Sequence, residues 1–127
     1  MIKKNKFAFW HKKRKEMWSV ESINWQTKEV SNGGDVASLD DGDLLQFTGL
    51  LDKNGKEIFE NDIVCWTFDE KTKKEIVFHE GCFGHFNFMG INNEYPEFIP
   101  IHKKRAGYMI VCGNIYENPE LLGGENE

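Results

Sequence analysis

The closest approach to a metal-ligand set in this chain is His79-x-x-Cys82-x-x-His85, with Cys65 or Cys112 as a further thiol. Structural zinc is held by thiolate and imidazole groups in a tetrahedron, usually from paired CxxC or HxxxH spacings. Those spacings are absent here. On a regular strand, residues three apart point to opposite faces, so this trio converges only if Gly81 and Gly84 turn the backbone. The simpler reading packs Cys82 as a small residue and leaves both histidines near a surface turn. No metal or cofactor is therefore assigned.

Nucleophilic chemistry fares no better. Cys65 and Cys112 lie in apolar runs typical of core strands, where a thiol has a raised pKa and is inert. Asp40, Asp41 and Asp43, or Glu60 with Asp62, could hold a cation or exchange protons. They lie in turn-forming sequence, where carboxylates are normally solvated. A phosphate-cradling glycine loop, Gly-x-Ser-x-Gly and His-Glu-x-x-His are all missing. The expectation is a protein that is not an enzyme and has no catalytic residues.

Nucleic-acid binding has more behind it. Single strands are bound by basic grooves with aromatic platforms on which bases stack. Two runs have that mix: Lys12, Lys13 and Arg14 (with Lys15) near Trp10 and Trp18, and Lys103, Lys104 and Arg105 near His102 and Tyr108. The competing reading makes both runs solvated hairpin tips. The formal net charge of −5 argues against a dedicated nucleic-acid binder.

The elements that must position these residues are short strands. Phe7 to Trp10 and Met17 to Val20 flank a charged tip. Ile23, Trp25 and Val30 flank a turn at residues 26–28, and Ser31 to Asp35 is a cluster of breakers. Residues 35–43 read as a loop or one helical turn. Leu44 to Thr48 is a strand, Asn54-Gly55 is a hairpin tip, and Glu60 to Asp62 turns again. Ile63 to Phe68 is β-branched and aromatic, Asp69 to Lys74 reads as a charged turn, and Glu75 to Phe78 is a strand. Phe83, Phe86 and Phe88 lie around Gly84 and Gly90, Asn92, Asn93 and Pro96 then break the pattern, and Phe98 to Ile101 is an edge-like piece because it contains Pro100. Tyr108 to Cys112 is the last strand. Asn118 then reads as an N-cap with Pro119 at the first helical position, and Gly123 and Gly124 end the turn. The expected core is Phe7, Phe9, Trp18, Phe47, Ile58, Ile63, Val64, Trp66, Val77, Ile110 and Val111.

At 127 residues the chain suits a single domain over 1–127, with 1–34 as a candidate N-terminal hairpin sub-lobe. Hydrophobic residues make up 39%, and ten Phe and four Trp supply much of the core bulk. Charge is uneven. Basic residues from Lys3 and Lys4 to Lys15 face an acidic tail holding Glu117, Glu120, Glu125 and Glu127. Three cysteines without CxxC, no secretory signal and no run of about 20 apolar residues imply a reduced, cytoplasmic chain that does not enter a membrane.

Two segments together are distinctive. Gln46 to Leu50 with Asp52-Lys-Asn-Gly-Lys-Glu-Ile-Phe-Glu-Asn-Asp-Ile-Val64 resembles the central signature of the YopX family, and Gly113-Asn-Ile-Tyr-Glu-Asn-Pro-Glu-Leu-Leu122 resembles its closing signature. Lys6-Phe-Ala-Phe-Trp10 with Met17 is similar to the family's start. The resemblance implies a phage or prophage protein in the cytoplasm of a bacterial host, assembled as a homo-oligomer, with no active site to transfer. The family usually has Tyr where this chain has Phe47 and Phe59, which makes those rings packing groups. Its Glu-Gly-Asp turn is Glu60-Asn61-Asp62 here, which predicts a positive φ at Asn61.

The expectation is a mainly β fold, a small barrel or sandwich of short antiparallel strands with one short C-terminal helical turn. The expected role is that of an accessory protein acting by self-assembly or by contact with a host or phage protein. A single-stranded nucleic-acid-binding barrel using Trp10, Lys12, Lys13, Arg14, Trp18, Lys103, Lys104 and Arg105 is the alternative.

Overall fold

The computed structural model describes residues 6–89 and 95–123. Expectations on Lys3, Lys4, Gly90, Asn92, Asn93, Gly124, Glu125 and Glu127 lie outside those residues. The fold is mainly β, as expected, with several antiparallel sheets and short helical turns. The chain divides into two compact units, Met1–Phe47 and Thr48–Glu127.

The first unit opens with β1 (Phe7–His11) and β2 (Glu16–Ser19), a hairpin whose register runs from Ala8↔Ser19 to His11↔Glu16. On its other side β1 pairs with the start of β6 (Gly42–Leu51), from Phe7↔Gln46 to His11↔Gly42. A meander of β3 (Ser22–Asn24), β4 (Glu29–Ser31) and β5 (Val36–Ser38) completes it. Residues 35–43, expected as a loop or helical turn, hold both β5 and a 3-10 turn, Leu39–Asp41. The core is Phe9, Trp18, Val30 and Ala37, flanked by Val20, Ile23, Leu39 and Leu44. Phe9 and Trp18 pack with ring centroids 5.8 Å apart. Gly42 allows β6 to close on β1, since a Cβ there would lie 1.9 Å from the Trp10 carbonyl oxygen.

In the second unit, β7 (Glu57–Phe59) follows the second half of β6 after the Asn54-Gly55 turn, where Gly55 has φ +81°. One sheet is ordered β13 (Met109–Asn114), β8 (Asp62–Trp66), β9 (Asp69–Glu75). Another is ordered β10 (Val77–His79), β11 (Cys82–Met89), β12 (Tyr95–Pro100). Ile58, Val64, Ile76, Ala106 and Met109 form the core. The helical turns are α1 (Lys103–Ala106) and the expected C-terminal one, α2 (Glu120–Gly123).

Residues 69–74 are a correction. They were expected as a charged turn and form the strand β9, with the turn displaced to 67–68. β9 ends its sheet, and its first half keeps charged side chains in water, so backbone pairing is not mirrored by apolar alternation. α1 was likewise unexpected. Of the expected core, Phe9, Trp18, Ile58, Ile63 and Val64 are buried, whereas Phe7, Phe47, Trp66, Val77, Ile110 and Val111 are half-buried.

The residues behind the family resemblance clamp this unit. Asp52 is buried and accepts from the backbone N–H of Asn54, Lys56 and Val111 at 2.8, 2.9 and 2.9 Å, joining the 52–56 turn to β13. Asn61 has φ +71°, as its identity implied, and donates to the Tyr116 hydroxyl at 2.9 Å. Ile115 N–H donates to the Asn61 carbonyl. The Asn118 side chain turns back to accept from Asn114 N–H while its carbonyl accepts from Leu121 N–H at 3.0 Å, and only a glycine at 113 leaves room for that side chain.

Candidate functional site

The second unit presents an aromatic and basic cleft. It begins with the tight turn between β8 and β9, where Trp66 pairs with Asp69 and Thr67 N–H donates to the Tyr108 carbonyl at 2.8 Å. That turn leaves Phe68 at its tip, 73% exposed. Opposite stands α1, a single turn whose cap, His102, accepts from Arg105 N–H through Nδ1 at 3.3 Å. Ala106 anchors the turn in the core, while Lys103 and Lys104 stay exposed. Tyr108, 51% exposed, meets Phe68 edge to face with centroids 6.5 Å apart.

Trp66, Phe68, His102, Lys104, Arg105 and Tyr108 line a cavity of about 240 Å³. Lys104 and Tyr108 also border an open depression of about 620 Å³ with Lys103 and Gly107. Among the described residues no carboxylate lines either surface. Among the described residues no ion pair involves Lys103, Lys104 or Arg105, and the buried Nε of Arg105 has no hydrogen-bond partner.

The N-terminal basic run is arranged differently. Trp10 and Trp18 are 9% and 4% exposed, so their faces pack the first unit. Arg14 lies over the Trp18 ring at 5.6 Å and pairs with Glu16 and Asp35, each at 3.3 Å. Lys12 pairs with Asp43 at 3.4 Å, and Lys13 is exposed. Of the two runs, only residues 103–105 stand beside exposed rings.

The His79, Cys82, His85 trio does not converge. His79 pairs with Cys82 in the β10–β11 register, whereas His85, an odd number of residues further on, points to the opposite face. His79 packs on Phe86 and Phe98, with centroids at 5.1 and 5.0 Å. His85 is 2% exposed, edge-on to Trp66 at 5.1 Å, and neither ring nitrogen has a hydrogen-bond partner. Burial, then the charges of Lys74 and Arg105, push its pKa down to about 4, so the ring is neutral. Among the described residues no group of three His, Cys, Asp or Glu could hold a metal ion.

The three cysteines are free: Cys65 is buried and Cys112 half-buried, whereas Cys82, expected as a packed small residue, is exposed, and of the two histidines expected near a surface turn it is His85 that is buried. Burial pushes the Cys112 thiol up, and its Sγ donates to the Ile63 carbonyl. Asp62 accepts from Phe59 N–H at 2.8 Å, and burial raises its carboxyl to about 6. Of the carboxylates considered in the sequence, Asp62 holds its own turn through Phe59 N–H and Asp43 pairs with Lys12, while Ser38 caps the turn that carries Asp40 and Asp41.

Trp66 and Phe68 were missed as parts of a surface. Both lie in an apolar run, and nothing in the residue types separates a ring on a turn from a ring in a core.

No curated protein matches the chain. A solved structure, protein EF1440 from Enterococcus faecalis, is similar over 93% of this chain and 97% of its own, with 27% identity and a TM-score of 0.69. The family model described as YopX protein matches residues 6–123. Its reach across both units, and across the clamps that join the two signatures, shows that the chain belongs to the YopX family.

Proposed function

We propose that this protein is a non-enzymatic phage or prophage accessory protein, working in the cytoplasm of a bacterial host by binding a partner through the cleft between Phe68 and Tyr108. One observation carries this reading: two exposed rings flanked by cations that, among the described residues, have no carboxylate to neutralise them. Rings exposed side by side are less common outside binding surfaces than rings exposed singly, because leaving a contiguous apolar patch in water forgoes its burial. The lining also pairs no nucleophile with a base, since His102 Nδ1 is already engaged by Arg105 N–H. A photo-crosslinking phenylalanine analogue placed at Tyr108, and separately at Trp25, tests the reading in the host cell. A macromolecular adduct at 108 and none at 25 is expected; equal or absent adducts would remove the cleft from consideration.

A second reading, assembly with further copies of the chain, rests on a different observation. Val36 on β5 and Phe78 on β10 are exposed apolar side chains on strands that end their sheets. Such edges accept a further strand.

A further inference from the structure

The chemistry of this cleft narrows its ligand, provided that it is the binding surface. We infer that it takes single-stranded nucleic acid, with bases on the rings of Phe68 and Tyr108 and phosphates on Lys103, Lys104 and Arg105. Three features select this ligand. The lining couples flat apolar faces to cations, which matches a polymer that alternates flat bases with anionic links. An acidic peptide would satisfy the cations but supply no regular partner for two adjacent rings. A duplex hides its base faces in the stack, so the exposed rings would find no partner in it.

The spacing is suitable as well. Phe68 and Tyr108 stand edge to face at 6.5 Å, so the edge of one ring meets one face of the other, and both rings remain exposed enough to offer a further surface to a base. Lys103 and Lys104 lie along the adjoining depression with Tyr108, where a backbone leaving the stacked bases would pass. Arg105 adds a further cation to the lining, although its Nε is itself buried. The nearest carboxylate in sequence, Asp69, is engaged by the Thr72 hydroxyl at 2.7 Å and by backbone N–H groups of its own turn, which hold it to that turn. The net charge of −5 belongs to the whole chain and does not describe this patch.

The test is fluorescence anisotropy of the full chain with a labelled oligothymidine of about 20 nucleotides, and with a duplex of equal length. Two or three phosphate contacts weaken single-strand binding about 7- to 20-fold between about 50 and about 200 mM salt. Phe68→Ala and Tyr108→Ala should each weaken it about tenfold. Both side chains are exposed, and unchanged melting of the variants verifies their fold. Lys12→Ala with Lys13→Ala should leave binding as it is. Absent binding at low salt, indifference to both ring substitutions, or equal affinity for the duplex overturns the inference. The crosslinking at position 108 separates the two claims. An adduct that resists nuclease refutes nucleic acid but keeps the cleft as the binding surface, whereas no adduct removes both.

Discussion

At the scale of single residues, two ionisable groups of the second unit, Asp62 half-buried and His85 buried, act on stability with opposite signs. Asp62 has a folded pKa of about 6 against 3.8 for the free group, raised chiefly by burial and offset by Phe59 N–H and the charge of Lys56. Between about pH 4 and 6 the folded chain holds a proton that the unfolded chain has released, so this group costs stability as pH rises through that window. His85 is depressed to about 4 from 6.5. There the unfolded chain binds the proton first, and stability is lost as pH falls from about 6.5 towards 4. The two slopes oppose each other. Asp62→Asn keeps an oxygen for Phe59 N–H and abolishes one slope, so it should gain stability at pH 7 and, relative to the parent, lose that advantage by pH 4. A change on the order of 1 to 2 kcal/mol is expected in urea titrations across this range. A pH-independent difference between variant and parent would show that Asp62 is not charge-averse. His85→Leu removes two unpartnered buried nitrogens and should flatten the acid limb, its loss of ring contact with Trp66 notwithstanding.

At the scale of elements, the hairpin after β6 depends on one carboxylate. Asp52 satisfies three backbone N–H groups, two in its own turn and one on β13. Replacing it with Ala leaves those donors without the acceptor and should destabilise the second unit by about 3 kcal/mol. Asp52→Asn, which can still accept but presents an amide towards one donor, should cost roughly 1 to 2 kcal/mol. Thermal melts of the two variants check the order, and equal melting of Ala, Asn and parent would rule out the clamp. Much of this element was readable in advance. Asn-Gly declared the tip, and Asn61 declared a left-handed backbone that the structure places at φ +71°. β9 was not readable, because a strand at the end of a sheet can satisfy its backbone on one side while its side chains follow no apolar period. α1 was hidden for a related reason: one turn of helix anchored by Ala106 has no periodicity to detect.

At the scale of the whole molecule, assembly is the property to measure. If edge strands carry it, light scattering should give a particle heavier than one chain, and Phe78→Lys or Val36→Lys should return it to the mass of one chain. A single-chain mass for the parent at high concentration would exclude assembly. Among the described residues no helix is long and apolar enough to cross a membrane. Residue types and their order alone determined the β class, the turns at Asn54-Gly55 and at Asn61, the short C-terminal helical turn and the family, because turn chemistry and signature residues are local and act through the chain's own backbone. Tertiary structure alone decided which aromatic and basic residues meet. It buried Trp10 and Trp18 and paired Arg14 and Lys12 with carboxylates, and it left Phe68 and Tyr108 exposed beside unpaired cations. The two basic runs look alike as sequence, and they differ because exposure and charge pairing arise from contacts between residues far apart in the chain.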